Sequence, residues 1–577
     1  MILAPGTENG PSLMLIEACL TAVAAAVAFC WPRLGATWFA RIERAFGRLA
    51  RRKSLAVAVI GAAALLARLA ILPFCPIPLP FIHDDFSFLL AGNTFASGRL
   101  TNPTPAMWKH FESFQITMQP TYMSMYFPAQ GLVLAAGKAL FGHSWFGLLC
   151  VTALMCAAIC WMLQAWLPPT WALLGGFIAI LRIGLFSYWI NTYSGGGSVA
   201  AVGGALVLGA LPRLMRTARL RDGVLLAIGI IVMALSRPFE GLLLCLPVGI
   251  VLGRWFFCGK NRPPAAVLAR RAALPLALMI AAVAWMGYYD YRVFGNPLTL
   301  PYTVDRATYA AAPYWVWQTP RPEPVYRHKV MRDFYVDYEL SYVRWLRTPR
   351  GFVSEELFFK PLRQLLFFAG IALLPPLIML RRVLLDRRIR FLVVCVAVLA
   401  IGMLSGTFLI PHYLAPFTAA FYAIGLQAMR HLRLWNPDSR PVGKALVRML
   451  VTVCLVLGGI RLCAEPLHLR LAAWPGSEWS STWHGPGRLG LARARVQKIL
   501  ERMPGKQLAI VRYSPQHSSL DEWVYNAADI DGSKVVWARE MDAASNLELI
   551  HYYKDRLVWL VQPDMEPATL SPYSSPE

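Results

Sequence analysis

The chain alternates long apolar runs with short, strongly basic connectors. Runs of about 20 residues, the length that crosses the hydrocarbon core of a bilayer, lie near 12–31, 54–74, 146–166, 171–190, 195–212, 272–289, 362–380, 391–410, 413–430 and 446–463. A longer stretch, 223–257, is interrupted by Ser236-Arg237-Pro238-Phe239-Glu240. A proline and two charges predict a turn there, between spans at 223–235 and 239–256. The pattern predicts a polytopic α-helical membrane domain over 1–463 with about twelve spans. Beyond 464 the pattern changes. Leu508-Ala509-Ile510-Val511-Arg512-Tyr513, Val535-Val536-Trp537-Ala538 and Leu557-Val558-Trp559-Leu560-Val561 read as short buried strands, and 488–503 and 543–554 as helices. Strands alternating with helices predict a small C-terminal α/β domain with a partly parallel sheet over 464–577. Its linker, 464–487, carries Trp474, Trp479 and Trp483, which suit an interfacial layer.

Composition narrows the class. Of 577 residues, 57% are hydrophobic and 15% charged, against about a quarter charged in a soluble globular protein. Disordered, collagenous and small disulfide-stapled classes go out with the same numbers. A net charge of +24 would suit a nucleic-acid partner if it covered a soluble surface. It does not. The connectors 33–53, 213–222, 254–271, 381–390 and 430–448 hold 26 Lys or Arg against Glu43, Asp222, Asp386 and Asp438, which accounts for +22 of the +24. Loops of that kind stay on the cytoplasmic side. Both termini and the segments 75–145, 290–361 and 464–577 then fall outside, and no nucleic acid is expected. No basic residue precedes the first apolar run, so an uncleaved first span is expected. Ten of the eleven cysteines lie in or at the edges of apolar runs, and none has metal-type spacing.

The second span is followed at once by Ile82-His83-Asp84-Asp85-Phe86-Ser87. Adjacent carboxylates at a bilayer's edge need a reason. They can cap a helix, since Asp accepts from free backbone N–H groups. Alternatively, one can serve as a general base at the water–lipid boundary, taking the proton of an attacking hydroxyl. At another outer helix end, Tyr188-Trp189-Ile190-Asn191-Thr192-Tyr193 precedes three glycines. Tyr188, Asn191 and Tyr193 are candidates for cradling a sugar, and equally for an interfacial belt with close helix packing. Arg182, inside an apolar run, calls for a partner or a cavity, or snorkels to the interface.

The run His83-Asp84-Asp85-Phe86-Ser87-Phe88-Leu89-Leu90, followed by Gly98-Arg99-Leu100-Thr101-Asn102-Pro103, resembles the GT-C glycosyltransferases in this topology. That superfamily includes protein O-mannosyltransferases and bacterial aminoarabinose transferases. The resemblance covers most of residues 54–430. It implies a GT-C-like fold, a multi-pass protein of the bacterial inner membrane and a polyprenyl-phosphate-linked sugar as donor. The first span and the C-terminal domain lie outside the shared core, and the charge pattern alone makes that domain extracytoplasmic. The resemblance implies Asp84 as the catalytic base, with Asp85 where many members carry Glu. Glu112, in Trp108-Lys109-His110-Phe111-Glu112, stands at the spacing of a second acid. With His110 it could hold a divalent metal ion or orient the acceptor, and an amphipathic interfacial helix would explain the same residues. No other cofactor is indicated. A lipid-phosphate donor needs a cation at its phosphate. Arg237, in the outward turn, is the first candidate, with pairing to Glu240 as its structural alternative. Arg182 and Lys138 follow, and His412, in Pro411-His412-Tyr413, matches a His-Tyr start in relatives. The acceptor class stays open between glycan, lipid and protein.

A membrane transporter or lipid-carrier flippase is the alternative reading. It predicts broken helices, polar residues at mid-membrane and paired repeats. The runs here are mostly clean and the acids gather at the outer edge, which favours the enzyme. A purely structural subunit has no use for those acids. The topology is tested by reporter fusions: after Gln318 and at the C-terminus the reporter is expected outside, and at Arg387 inside. Gln318 and Arg387 on one side would contradict the span assignment.

Overall fold

The computed structural model describes residues 12–259, 262–464, 466–469 and 490–574. Trp474, Trp479 and Trp483 lie outside the described residues. Among the described residues, seven helices are long and apolar enough to cross a membrane: Leu13–Cys30, Lys53–Ala70, Trp145–Trp166, Gly197–Thr217, Pro238–Cys258, Ala265–Phe294 and Val442–Leu462. Trp145–Trp166 and Gly197–Thr217 form the centre of the bundle, each with 72% of its apolar window buried, whereas Ala265–Phe294, at 6%, lies on the rim. Close packing at the centre depends on small residues. A Cβ on Gly204 would lie 1.7 Å from the carbonyl oxygen of Pro416.

The other apolar runs are helical but short or broken. Pro169–Ala179 continues through a π turn at Ile180–Gly184, and Leu220–Ala234 ends at the turn before Pro238. The run 362–380 is not one span-length helix. Lys360–Phe368 stops at Gly370, whose φ is +61°, and the chain resumes as a 3-10 turn at Pro375–Met379 and the helix Leu380–Leu385. Pro375 and Pro376 have no N–H to continue the ladder. In a bilayer, backbone freed by such a break must find partners inside the protein. Here Glu17 accepts from the Ala372 amide at 3.1 Å and from Arg182 Nη1 at 3.1 Å, while Arg182 Nη2 donates to the Leu366 carbonyl at 3.0 Å. Arg182 is thus a structural cation in the bundle, apart from the Asp84 region.

The basic segment 33–53 is more than a connector. It forms the helix Ala36–Arg51, tied to the distant basic segment 430–448 by Glu43, which pairs with Arg448 at 2.9 Å and Arg433 at 3.2 Å.

On the opposite side, the helix His83–Ala96 packs against Pro128–Phe141, beside a small antiparallel sheet in which Thr121–Ser124 is flanked by Asn102–Pro103 and Ile116–Thr117. Residues 490–574 form a second sheet in the order Val535–Arg539, Lys506–Val511, Arg556–Gln562, Thr569–Pro572. The first three strands are parallel and the last is antiparallel. Leu491–Arg502 precedes the sheet and Ala543–Tyr552 makes one crossover. One face of this sheet packs a core of its own, with Val496, Leu500, Ala509, Val511 and Trp537, whereas the other is completed from elsewhere in the chain. Leu508, Ile510, Val536 and Tyr525 share one apolar cluster with Phe86, Phe111, Ile116 and Tyr122 of the segment 75–145.

A buried polar joint fixes the contact. Arg539 pairs with Glu522 at 2.5 Å and donates through Nε and Nη2 to the Glu112 carbonyl at 3.0 and 2.8 Å. Both side chains of the ion pair are at most 3% exposed. Arg539→Ala strands a buried carboxylate, so it is expected to destabilise the protein by about 3–5 kcal/mol. Limited proteolysis should then release the 490–574 region earlier than in the wild type. An unchanged unfolding midpoint and cleavage rate would contradict this role.

Candidate functional site

Asp84 and Asp85 sit in the first turn of His83–Ala96, where free N–H groups favour acids. Successive helical residues point about 100° apart, so the pair divides. Asp85 turns inward and is fully buried, accepting from the Phe81 amide at 3.2 Å and the Tyr193 amide at 2.9 Å. Burial pushes its carboxyl up to about 7, against the pull of those backbone donors. Asp84 keeps 20% side-chain exposure and accepts at Oδ1 from the Tyr126 hydroxyl at 2.5 Å. The same hydroxyl lies 2.5 Å from the Gln115 amide. The contact is with Gln115 Oε1, an acceptor, so the single phenolic proton serves one oxygen at a time, Asp84 Oδ1 or Gln115 Oε1. His83 Nε2 is 3.7 Å from Asp84 Oδ1, and its ring packs edge-on against Phe334 at 4.9 Å. Burial lowers the His83 pKa, so the ring is neutral near pH 7.

Arg237 occupies the turn between Leu220–Ala234 and Pro238–Cys258. It is buried, donates through Nη2 to the Gly195 carbonyl at 2.7 Å, and lies 4.6 Å over the Tyr413 ring. Among the described residues it forms no ion pair within 4.0 Å with Glu240. Arg237 and Tyr126 line one narrow pocket together with Phe88, Gln130, Ser236 and Tyr302. Asp84 is tied to this pocket through Tyr126, which lines it beside Arg237. Tyr126 and Tyr413 are each within electrostatic reach of both charges, as is Tyr302. Burial pushes the Tyr302 hydroxyl up to about 12, so it stays a proton donor. A larger cavity, of about 330 Å³, is lined by Val316, Val343, Leu346, Pro349 and Phe352 with Arg347 and Thr407, and no carboxylate lines it.

His412 stands behind this pocket. Its Nδ1 is 2.9 Å from the Tyr188 hydroxyl, which also accepts from the His412 amide at 3.0 Å. Its ring fills the space under Gly195: a Cβ there would come within 2.6 Å of it, and φ is +80°. Only glycine fits, and the tight turn offers its carbonyl to Arg237. Asn191 is turned into the helix end, donating to the Leu185 and Ser187 carbonyls at 3.1 Å and accepting from Arg68 at 2.9 Å. Tyr193 donates to the Pro78 carbonyl at 3.0 Å. Tyr188, Asn191 and Tyr193 therefore frame the loop that holds Asp85 and Arg237, and do not line the pocket. Lys138 reaches Asn93 at 2.6 Å, on an exposed surface.

Glu112 and His110 belong to the joint with the C-terminal sheet. Glu112 Oε1 accepts from Tyr309 and Arg327, both at 3.0 Å, and His110 faces the carbonyls of Arg539 at 2.9 Å and Ser545 at 3.2 Å. Among the described residues, no group of three or more His, Cys, Asp or Glu is arranged to hold a metal ion. The donor set near Asp84 does not fit one: Asp85 is spent on backbone amides and Glu112 on an arginine and a tyrosine. The 490–574 region also touches the helix that carries Asp84, through a loop and its first helix. Phe86 stacks on Tyr525 at 4.0 Å with 5° between the rings, and the Arg493 guanidinium lies 4.7 Å from the Phe86 ring. Tyr126, Gln115 and Tyr302 escaped the sequence reading because single aromatics and amides in a loop bear no spacing signal.

No protein-family model matches the chain, and no curated protein matches it. Among solved structures, the chain is similar to the Archaeoglobus fulgidus oligosaccharyltransferase tethered with an acceptor peptide, at 13% identity and a TM-score of 0.42, over 79% of this chain and 62% of that one. It is similar to the same enzyme in complex with zinc and sulfate, at 12% identity and a TM-score of 0.44, over 87% and 67%. A third similar structure is archaeal oligosaccharyltransferase AglB from that organism with an inhibitory peptide and a dolichol-phosphate, at 12% identity and a TM-score of 0.43, over 87% and 69%. The chain thus spans less than two thirds of the length of the first of these.

The raised Asp85 pKa makes a signed prediction. The folded state holds this proton more tightly than the unfolded chain does, so the stabilisation is complete below the ordinary value near 4 and is lost as pH rises through about 7. The wild-type unfolding midpoint should fall across that window more steeply than that of Asp85→Asn. Equal slopes would contradict the buried, backbone-bound carboxyl.

Proposed function

We propose that the protein is an inverting glycosyltransferase of the GT-C type, moving a sugar from a polyprenyl-phosphate donor to an acceptor hydroxyl. The observation that carries this reading is a narrow pocket lined by one buried guanidinium, Arg237, and by Tyr126, whose hydroxyl donates to the partly exposed carboxylate of Asp84. A base at one side and a phosphate-binding cation at the other are what displacement at an anomeric carbon requires. The residue resemblance around His83–Leu90 supports the same reading. Twelve spans, with the large loops and the 464–577 domain on the outer face of a bacterial inner membrane, complete it.

In this mechanism Tyr126 holds Asp84 Oδ1, and Oδ2 takes the proton of the acceptor hydroxyl. The acceptor oxygen attacks the anomeric carbon on the face opposite the phosphate. The bond from that carbon to the phosphate oxygen breaks, the phosphate leaves with the electron pair, and the configuration inverts. Arg237 neutralises the leaving charge. One of its five N–H groups is spent on Gly195, and the others remain for phosphate. Neutral His83 adds no competing charge beside the base. In this mechanism the 490–574 region supplies no base; through Tyr525 and Arg493 it steadies Phe86, two residues from Asp84.

Asp84→Asn keeps the shape of the base and its contact with Tyr126 but cannot take a proton. It is expected to lower transfer by about 10²–10⁴-fold with donor binding retained. Arg237→Ala should raise KM for the donor and lower kcat as well, because the contact tightens as the phosphate departs. Both are measured in transfer assays with purified protein. Wild-type turnover by Asp84→Asn would overturn the mechanism.

A further inference from the structure

The helix Ala36–Arg51 has three faces, and the described residues pack against one of them. Phe39, Glu43, Phe46 and Ala50 recur at helical spacing and turn inward. The Phe46 ring lies 5.5 Å from Phe177, Glu43 holds Arg433 and Arg448, and Ala50 is 1% exposed. About 100° around the helix, Trp38 and Ile42 are 60% and 45% exposed, and Trp31 and Leu34, just before the helix, are 64% and 57% exposed. On the remaining side stand Arg41, Arg44, Arg48 and Arg51, all exposed. Among the described residues none of these four arginines has an ion-pair partner; Arg44 reaches only the Ala40 carbonyl, at 3.3 Å.

An exposed apolar stripe between a packed face and a cationic face is the geometry of a helix lying in a membrane interface. Neighbouring charge points the same way. Glu43 draws in the basic segment 430–448, and Asp386 lies 3.4 Å from His431, which brings the segment 381–390 alongside. This end of the protein is therefore strongly cationic. We infer that Ala36–Arg51 is a docking surface for anionic phospholipid headgroups, with Trp38 and Ile42 in the acyl boundary and Arg41, Arg44, Arg48 and Arg51 on the lipid phosphates. The inference rests on the multi-pass membrane reading and is independent of the reaction at Asp84.

The test titrates the purified full-length protein with short-chain phosphatidylglycerol, using short-chain phosphatidylcholine as the neutral control and reading the shift in thermal unfolding. Each basic residue near an anionic surface strengthens binding about fivefold. The variant R41Q/R44Q/R48Q/R51Q should therefore bind phosphatidylglycerol at least about 25-fold more weakly. The matching four-lysine variant, R41K/R44K/R48K/R51K, should keep the wild-type preference, and high salt should erase the preference in both. These arginines are exposed and outside the packed face, so the unliganded midpoint should stay near wild type. If the glutamine variant is nevertheless unstable, equal weakening in the lysine variant counts against the proposal and retained binding supports it. The proposal is overturned if wild type does not prefer phosphatidylglycerol to phosphatidylcholine, if the glutamine variant binds as wild type does, or if inorganic phosphate gives the same shift as the lipid.

Discussion

A carboxylate withdrawn from water must be met by donors or take up a proton, and Asp85 is the place where this fold meets that demand. Its two oxygens collect the amides of Phe81 and Tyr193, one from the loop that ends the Pro-rich segment and one from the glycine-rich loop more than a hundred residues later. That single side chain pins the start of His83–Ala96 against the loop that also offers the Gly195 carbonyl to Arg237. The helix geometry then leaves Asp84 no choice of direction. With Asp85 inward, its neighbour meets Tyr126, which lines the pocket. The buried acid positions, and the partly exposed acid is available for chemistry.

The outer regions are bound together by a second constraint. The sheet of residues 490–574 leaves apolar residues on one face that the segment 75–145 covers, so the two share a core. Burial of Arg539 and Glu522 in that joint is stabilising only because the guanidinium also meets the Glu112 carbonyl and Glu522 also accepts from Tyr513 and Val524. Phe86, held between Tyr525 and Arg493, carries this rigidity to the first turn of the Asp84 helix. In the bundle the same rule applies at Gly370, where Glu17 and Arg182 satisfy a helix end that lipid cannot.

What was legible in the sequence follows from which interactions are local. Most of the apolar runs, the turn at Ser236-Arg237-Pro238 and the strand-like runs near 508–513, 535–538 and 557–561 are written in neighbouring residues, and helices and strands lie there; the break in 362–380 is not. The division of labour between Asp84 and Asp85 was not legible, because it depends on amides at Phe81 and Tyr193 that no spacing reveals. Arg182 looked like a phosphate ligand because an arginine in an apolar run needs a partner, and Glu17 is far away in sequence. Glu112 and His110 stood at a suggestive spacing, yet their partners come from Arg327, Arg539 and Ser545. The segment 33–53 was read from its charge alone, which hid the three-faced helix that its spacing encodes.

The central claim is that Asp84 and Arg237 are the two poles of one reaction site. A structure of the full-length protein with a bound polyprenyl phosphate tests it most directly. The account predicts the lipid phosphate within hydrogen-bond distance of Arg237, beside Tyr302 and Tyr413, with Asp84 uncovered across the pocket. A phosphate held elsewhere, with Arg237 still committed to Gly195 and no contact to the lipid, would contradict it.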